Sequence, residues 1–367
     1  MDLELAEIVR RYGLSYRQRF ADRLLPSHRR ALRAIEQCRT EALGGHVYTC
    51  PQCQRVEYRY HSCRNRHCPK CQHEQAQAWL IHQESLLLPV PYFLLTFTLP
   101  AGLRRVTRRH QRLLCDLLFR SSAAATQRLA SDPRFIGGQV GLIGVLHTWT
   151  RDLRYHPHVH YLVPAGGLAA DRETWLPARR NFLLPVRALS RLFRNRFRRA
   201  LHQHPSYPEV PAEVWTQEWV VHVKPVGSGQ AALKYLAPYI FRVALSNRRL
   251  VKLENDRVTF RYTDPKSGNA RYCTLPAHQF LHRFLQHVLP RGFVKVRYYG
   301  YFGPRNRTRL GALQRHLNLH AAETHSTAQM SSPAPERPVV EAIVRCPDCG
   351  RPMEVRIVLP VQARHPP

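Results

Sequence analysis

The sequence predicts an α+β fold, in which strands and helices follow a small helical opening with paired cysteines. Three observations predict it. Two Cys-x-x-Cys pairs, Cys50/Cys53 and Cys68/Cys71, follow a helical opening. Beyond them, β-favouring runs at 92–99, 156–164 and 219–224 alternate with segments of helical period. At the centre, LHTWTRDLRYHPHVHYLVP (146–164) reads as a hairpin, an apolar run joined through a polar connection to an alternating strand.

Charge bounds the partner. In 367 residues, Lys+Arg number 56 against 25 Asp+Glu, a formal net charge of +31. The excess is spread along the chain and fits a polyanion, with nucleic acid the first expectation. No secretory signal opens the sequence, and the uncharged stretch 86–103 is cut by Pro89, Pro91 and Pro100, so a membrane span is rejected in favour of a buried strand. Six of the 10 cysteines stand in Cys-x-x-Cys pairs, which in an intracellular chain argues for metal over disulfides and for a cytoplasmic setting.

Residues 3–43 carry apolar side chains at helical spacing with arginines on the other faces. Cys50/Cys53 and Cys68/Cys71 follow, fourteen residues apart, a spacing that can wrap one tetrahedral, catalytically closed zinc. Cys38, His46, His61, Cys63 and His67 are left over; four of them could form a second site, but packing cysteine and surface histidine are the simpler reading. Tyr58, Tyr60, Arg55, Arg59, Arg64, Arg66 and Lys70 interleave aromatic and basic groups, suited to base stacking and phosphate contact.

After the strand at 92–99, residues 103–129 form a basic helix, and the hairpin follows. In an extended strand His158 and His160 share one face with Val159 turned into the core. With the turn centred between Leu153 and Arg154, His147 falls opposite His160 and Trp149 opposite His158, all on that face. Two imidazoles so placed form a partial metal site; on spacing alone a solvated histidine strand explains them equally well. Residues 179–204 form a strongly basic amphipathic helix, an insertion near 165–215 placed to clamp a strand. From Ala231 the period is helical, and Tyr235 and Tyr239 stand at i and i+4 on one helical face, with Pro238 kinking the rod between them. A hairpin over 257–275, a helix over 277–288 and a strand over 293–301 complete the core. The expected domains are 1–85, contacting DNA; 90–310, carrying the chemistry; and 311–367, a flexible tail with a lone Cys346/Cys349 knuckle.

Together these features suit transesterification of a DNA phosphodiester. A tyrosine attacking phosphorus conserves the bond energy as an ester, and a second tyrosine allows a second cleavage while the first end is held. Mg²⁺ or Mn²⁺ on His158 and His160 would offset phosphate charge, with His147 as third ligand and Gln230 as runner-up.

CPQC…SCRNRHCPKCQ, HTWTRDLRYHPHVHYLVP, LKYLAPYIFRVALSNRRL and FLHRFLQHVLPRGFVKVRYYG resemble the rolling-circle transposases of the insertion sequence 91 family, over roughly residues 10–310. The resemblance implies an HUH nuclease core, an antiparallel sheet flanked by helices with the His-hydrophobic-His strand at its centre, preceded by a small helical zinc-binding domain. It also implies nicking of one strand at the ends of an insertion sequence, a 5′-phosphotyrosine intermediate and transfer of single-stranded DNA to a target. Carried over residue by residue, it makes His158 and His160 the metal ligands and Tyr235 and Tyr239 the nucleophiles. A plasmid relaxase or replication initiator would share these residues but predicts an appended helicase or primase region. A non-catalytic zinc regulator leaves the tyrosine pair and the HPHVH run unemployed, and an acidic-triad transposase lacks a recognisable carboxylate setting.

Overall fold

A computed structural model describes residues 3–71, 73–231, 233–234, 244–264, 267–324 and 343–362. Its centre is a five-stranded antiparallel sheet built from β3 (Pro91–Thr98), β4 (Leu142–Trp149), β5 (Tyr155–Pro164), β8 (Val221–Ser228) and β12 (Val296–Tyr299). The order β12-β4-β5-β3-β8 puts the histidine strand in the middle, paired on both sides. Alternation gives the sheet two different faces. One presents Phe93, Leu95, Phe97, Val159 and Tyr161 to the helices α5 (Gln111–Ala130) and α6 (Val186–His202), forming the largest core. The other face carries Tyr92, Ile143 and Leu162, and it also carries the histidines.

The expected α+β class is therefore the observed one. The helix expected over 103–129 is two helices, α4 (Arg104–Arg109) and α5, with the break at His110, whose φ −116° and ψ 48° are not helical. β8 runs on through Pro225, expected to be loop. It is an edge strand, and a register shift beside Pro225 removes the need for its missing N–H.

Around this layer, α1 (Leu5–Arg19) and α2 (Pro26–Glu36) do not form a separate N-terminal core. They pack with Phe260 of β10 (Arg257–Thr263) and with Phe280 and Phe284 of α7 (Ala277–Leu285). β10 lies between β9 (Leu250–Glu254) and β11 (Ala270–Pro276). This core is shared between residues of 5–68, Leu153 and residues of 244–288. A small ribbon, β6 (Gly166–Leu168) with β7 (Trp175–Pro177), precedes α6.

Two further departures concern the cysteines. β1 (Gly45–Thr49) and β2 (Val56–Tyr60) form a hairpin with Cys50 and Cys53 at its tip. Cys38 and Cys63 flank its open end, where His61 N–H donates to Gly44 O and Arg39 N–H donates to His61 O. Five paired residues separate tip from base by roughly 17 Å, so Cys50 and Cys53 cannot share an ion with Cys68 and Cys71, as the spacing had suggested. The region expected as a flexible tail contains α8 (Arg307–Thr324) and β13 (Glu354–Leu359), and β13 pairs antiparallel with β1 to give the order β13-β1-β2. α3 (His73–Glu84) connects this ribbon region to β3, and among the described residues no helix is long and apolar enough to cross a membrane.

Candidate active site and metal centres

The hairpin β4–β5 builds the first site. Its connection is a five-residue loop, 150–154, in which Thr150 N–H donates to Arg154 O and Arg154 N–H to Thr150 Oγ1. Leu153 takes a left-handed φ of 64° and turns its side chain into the core shared by α1 and α7. His147 pairs with His158, not with His160 as expected, and Trp149 pairs with Tyr155, so that His156 and Pro157 of β5 together oppose Thr148 alone. The ladder is displaced by two residues from the expected register. Because side chains alternate with period two, this displacement leaves His147 on the same face as His158 and His160.

Ring centroids are 5.2 Å apart for His147–His158, 4.6 Å for His147–His160 and 4.9 Å for His158–His160. One nitrogen from each ring falls within 4.8 Å of the others. His158 Nδ1–H donates to its neighbour His156 O at 2.7 Å, which leaves Nε2 as the acceptor. His160 Nδ1 lies 2.8 Å from Thr96 Oγ1 on β3, a hydrogen bond that fixes the orientation of that ring. Desolvation holds all three imidazoles neutral: His158 is pulled down to about 3, His160 to about 4, and His147 well below the ordinary range. Neutral rings, each offering a nitrogen lone pair toward one point, are what a divalent cation requires, so the donor set fits one.

His156 occupies the same strand face but is held elsewhere, since Arg104 Nη2 donates to its Nδ1 at 3.1 Å. Trp149 stacks on His147 with ring centroids 5.3 Å apart, and Lys295 Nζ sits 4.8 Å from the Trp149 ring centre. Burial, then Arg66, lowers the Lys295 ammonium to about 7. Sequence reasoning passed over Thr96, Arg104 and Lys295. No motif marks them, because they reach the site across the sheet or from a neighbouring helix.

Gln230 is exposed and lies two residues past Ser228, the end of β8, which pairs with Pro91. His160 lies level with Thr96, five residues further along β3, roughly 17 Å away by strand rise. His147 is therefore the better-placed third donor. Tyr235 and Tyr239 lie outside the described residues. Leu233, two residues before Tyr235, is fully buried in one cluster with Ile143 and Leu162, on the histidine-bearing face.

The cysteines form two quartets. Cys38, Cys63, Cys68 and Cys71 converge beneath α1 and α2, with Sγ–Sγ separations of 3.6 Å for Cys38–Cys71 and for Cys63–Cys71. Cys50, Cys53, Cys346 and Cys349 converge at the tip of the ribbon. Both quartets have the donor set of a closed zinc site.

Comparison with known proteins bears on this arrangement. A family described as "Transposase zinc-binding domain" matches residues 8–99, and one described as "Putative transposase" matches residues 141–309. A protein of Sinorhizobium fredii (strain NBRC 101917 / NGR234), "Putative transposase y4qJ", is 38% identical over 371 residues, covering 94% of this chain and 92% of its own. The chain belongs to the insertion sequence 91 family of transposases.

The transposase is also 30% identical over 285 residues to "Transposase for insertion sequence element IS801" of Pseudomonas savastanoi pv. phaseolicola, covering 73% of this chain and 68% of that one. No solved structure matches it. Cys38, Cys50, Cys53, Cys63, Cys68 and Cys71 fall within the zinc-binding match, whereas Cys346 and Cys349 lie outside both matches. The three histidines of the transposase fall within the second match, as do Tyr235 and Tyr239. Its partner is DNA, and its zinc is structural.

Proposed function

We propose that this transposase is an HUH-type nuclease that moves an insertion sequence by rolling-circle transposition, nicking one DNA strand at the element's ends and joining it to a target. The observation that carries the reading is the convergence of His147, His158 and His160, all neutral, on the sheet face that also buries Leu233. His147, His158 and His160 would hold Mg²⁺ or Mn²⁺, and such an ion, when bound, offsets charge on the phosphate oxygens.

The chain's own residues do the rest. A phenolic oxygen of Tyr235 or Tyr239 attacks the scissile phosphorus; a tyrosine O–P bond forms as the P–O3′ bond breaks. The phenol's proton leaves, the 3′ oxygen takes one up, and the 5′ end stays on the enzyme as a phosphotyrosine ester. Attack by a 3′-OH of the target on that ester reverses the chemistry and transfers the strand. The second tyrosine accepts the other cleavage. Thr96 and the His156 carbonyl hold two of the imidazoles in register. Arginines on α6 and near the site neutralise the backbone of single-stranded DNA at element ends and target. Zinc on Cys38, Cys63, Cys68 and Cys71 fixes 63–71 against α1 and α2, beside the DNA-contacting surface.

The test is covalent capture. Wild-type protein with Mn²⁺ and a single-stranded element end should yield a protein–DNA adduct that His158→Ala abolishes. A protein that binds the strand but never nicks it contradicts the reading.

A further inference from the structure

The knuckle at 346–349 has no Cys-x-x-Cys partner beyond it in the sequence, yet it closes a quartet with the tip of the β1–β2 hairpin, across as many as 299 residues. The two turns are built alike. Cys50 N–H donates to Arg55 O at 2.9 Å and Gln54 N–H to Cys50 O at 3.0 Å, with Gln54 at a left-handed φ of 58°. Cys346 N–H donates to Arg351 O at 2.8 Å and Gly350 N–H to Cys346 O at 2.9 Å, with Gly350 at φ 72°. Each turn therefore aims two thiols at the same point from opposite sides.

The separations between turns are 3.5 Å for Cys50–Cys349, 3.5 Å for Cys53–Cys346 and 3.9 Å for Cys53–Cys349. A tetrahedron of thiolates about 2.3 Å from a zinc ion has edges of about 3.8 Å, whereas a disulfide would bring two sulfurs to about 2.05 Å. The observed spacing is that of ligands around a common centre.

Packing does not account for the junction. Its buried cluster holds just Cys50, Cys346 and Met353 among the described residues, with Tyr48 and Val344 partly buried against it, and Val47 is the one further buried apolar side chain on the described part of β1. β13 is exposed at five of its six positions, so its pairing with β1 lacks an apolar face to hold it. The ion pair between Arg55 and Asp348, 3.6 Å long, has both side chains about half exposed and adds little. A ribbon with so small a core is of the kind that metal binding folds.

We infer that Cys50, Cys53, Cys346 and Cys349 hold a second structural zinc, which fastens β13 to the N-terminal hairpin and makes the three-stranded ribbon a zinc-dependent unit. The Cys38 quartet lies within the core of α1 and α2 and has no such dependence on β13. Cys53 and Cys349 are exposed, so the ribbon zinc is the one a chelator reaches first.

The full chain tests this by metal counting together with hydrogen exchange. Relative to wild type, Cys346→Ser/Cys349→Ser should carry one zinc fewer per chain and lose amide protection across 354–359 and 45–49, while α1 and α2 keep theirs. Cys349→His should retain the zinc and the protection, and after cobalt substitution its absorption spectrum should shift through loss of one sulfur ligand. Should the double serine variant fail to fold, titrating wild type with a chelator gives the same answer: the first zinc lost should coincide with release of 354–359. Equal zinc in wild type and the serine variant, or protection of 354–359 that survives loss of that zinc, overturns the inference.

Discussion

His147 on β4 stands directly across the ladder from His158 on β5, their rings 5.2 Å apart and nearly perpendicular. The pairing brings a third imidazole to the two that β5 supplies alone, and Thr96 on the opposite neighbour strand orients His160. The ligands thus depend on the sheet and not on one short motif. Thr96→Val removes the hydroxyl with little change in shape. It should lower divalent-cation affinity by roughly 10–100-fold, the usual cost of losing an orienting partner. Titrating Mn²⁺ against nicking rate measures it. An unchanged apparent affinity would show that Thr96 has no orienting role.

A salt titration tests how DNA is gripped. Arg191, Arg196 and Arg199 are exposed on α6, and the latter two line a cleft of ≈ 600 Å³ against Arg120 and Ser121 of α5. Each phosphate released from a single strand changes the slope of log K against log salt by about 0.7. Replacing all three by alanine should flatten that slope by about 2 if each touches a phosphate. A parallel shift with unchanged slope would mean that α6 does not touch the DNA backbone.

The histidine strand and the zinc-ligand residue types are legible in the sequence because their signals are local: alternation in HPHVH, and paired cysteines at knuckle spacing. The partition of the cysteines is not, since Cys50 and Cys53 are closer in sequence to Cys68 and Cys71 than to Cys346 and Cys349. Only the hairpin, which sends its tip away from its base, decides the matter. The register of β4 on β5 was likewise open, because neither the extra residue on β5 opposite Thr148 nor the left-handed Leu153, buried against α7, is marked by a turn motif. The face of the histidines survived that error, while their pairing did not.

Acid should loosen the fold. Burial holds His28 and His287 at about 4, and His287 is locked between Thr148 Oγ1 and Leu153 O. In the unfolded chain both take up protons near about 6.5. Between these values the unfolded state binds more protons, so stability present above about 6.5 is lost as pH falls toward about 4. Melting temperature measured across this window should fall steadily, and His287→Asn, less stable near neutrality, should show a shallower fall. A flat profile would contradict the burial argument.

Gly144 is a close-approach position in the sheet. A Cβ there would meet the Tyr161 ring at 2.4 Å, with Phe119 behind it at 3.1 Å, and Tyr161 is fixed by Ser122 and by Phe119 O. Gly144→Ala should cost about 1–3 kcal/mol through overpacking. Denaturant unfolding reads the change, and a loss well below that range would mean that Tyr161 can move aside.

The most direct measurement is the identity of the residue joined to DNA. Digesting the Mn²⁺-dependent adduct and sequencing the modified peptide by mass spectrometry should place a 5′-phosphonucleotide on Tyr235 or Tyr239. Tyr235→Phe/Tyr239→Phe should give no adduct while still binding the strand. An adduct on any other residue, or cleavage that leaves a free 5′-phosphate and no covalent species, would contradict the account.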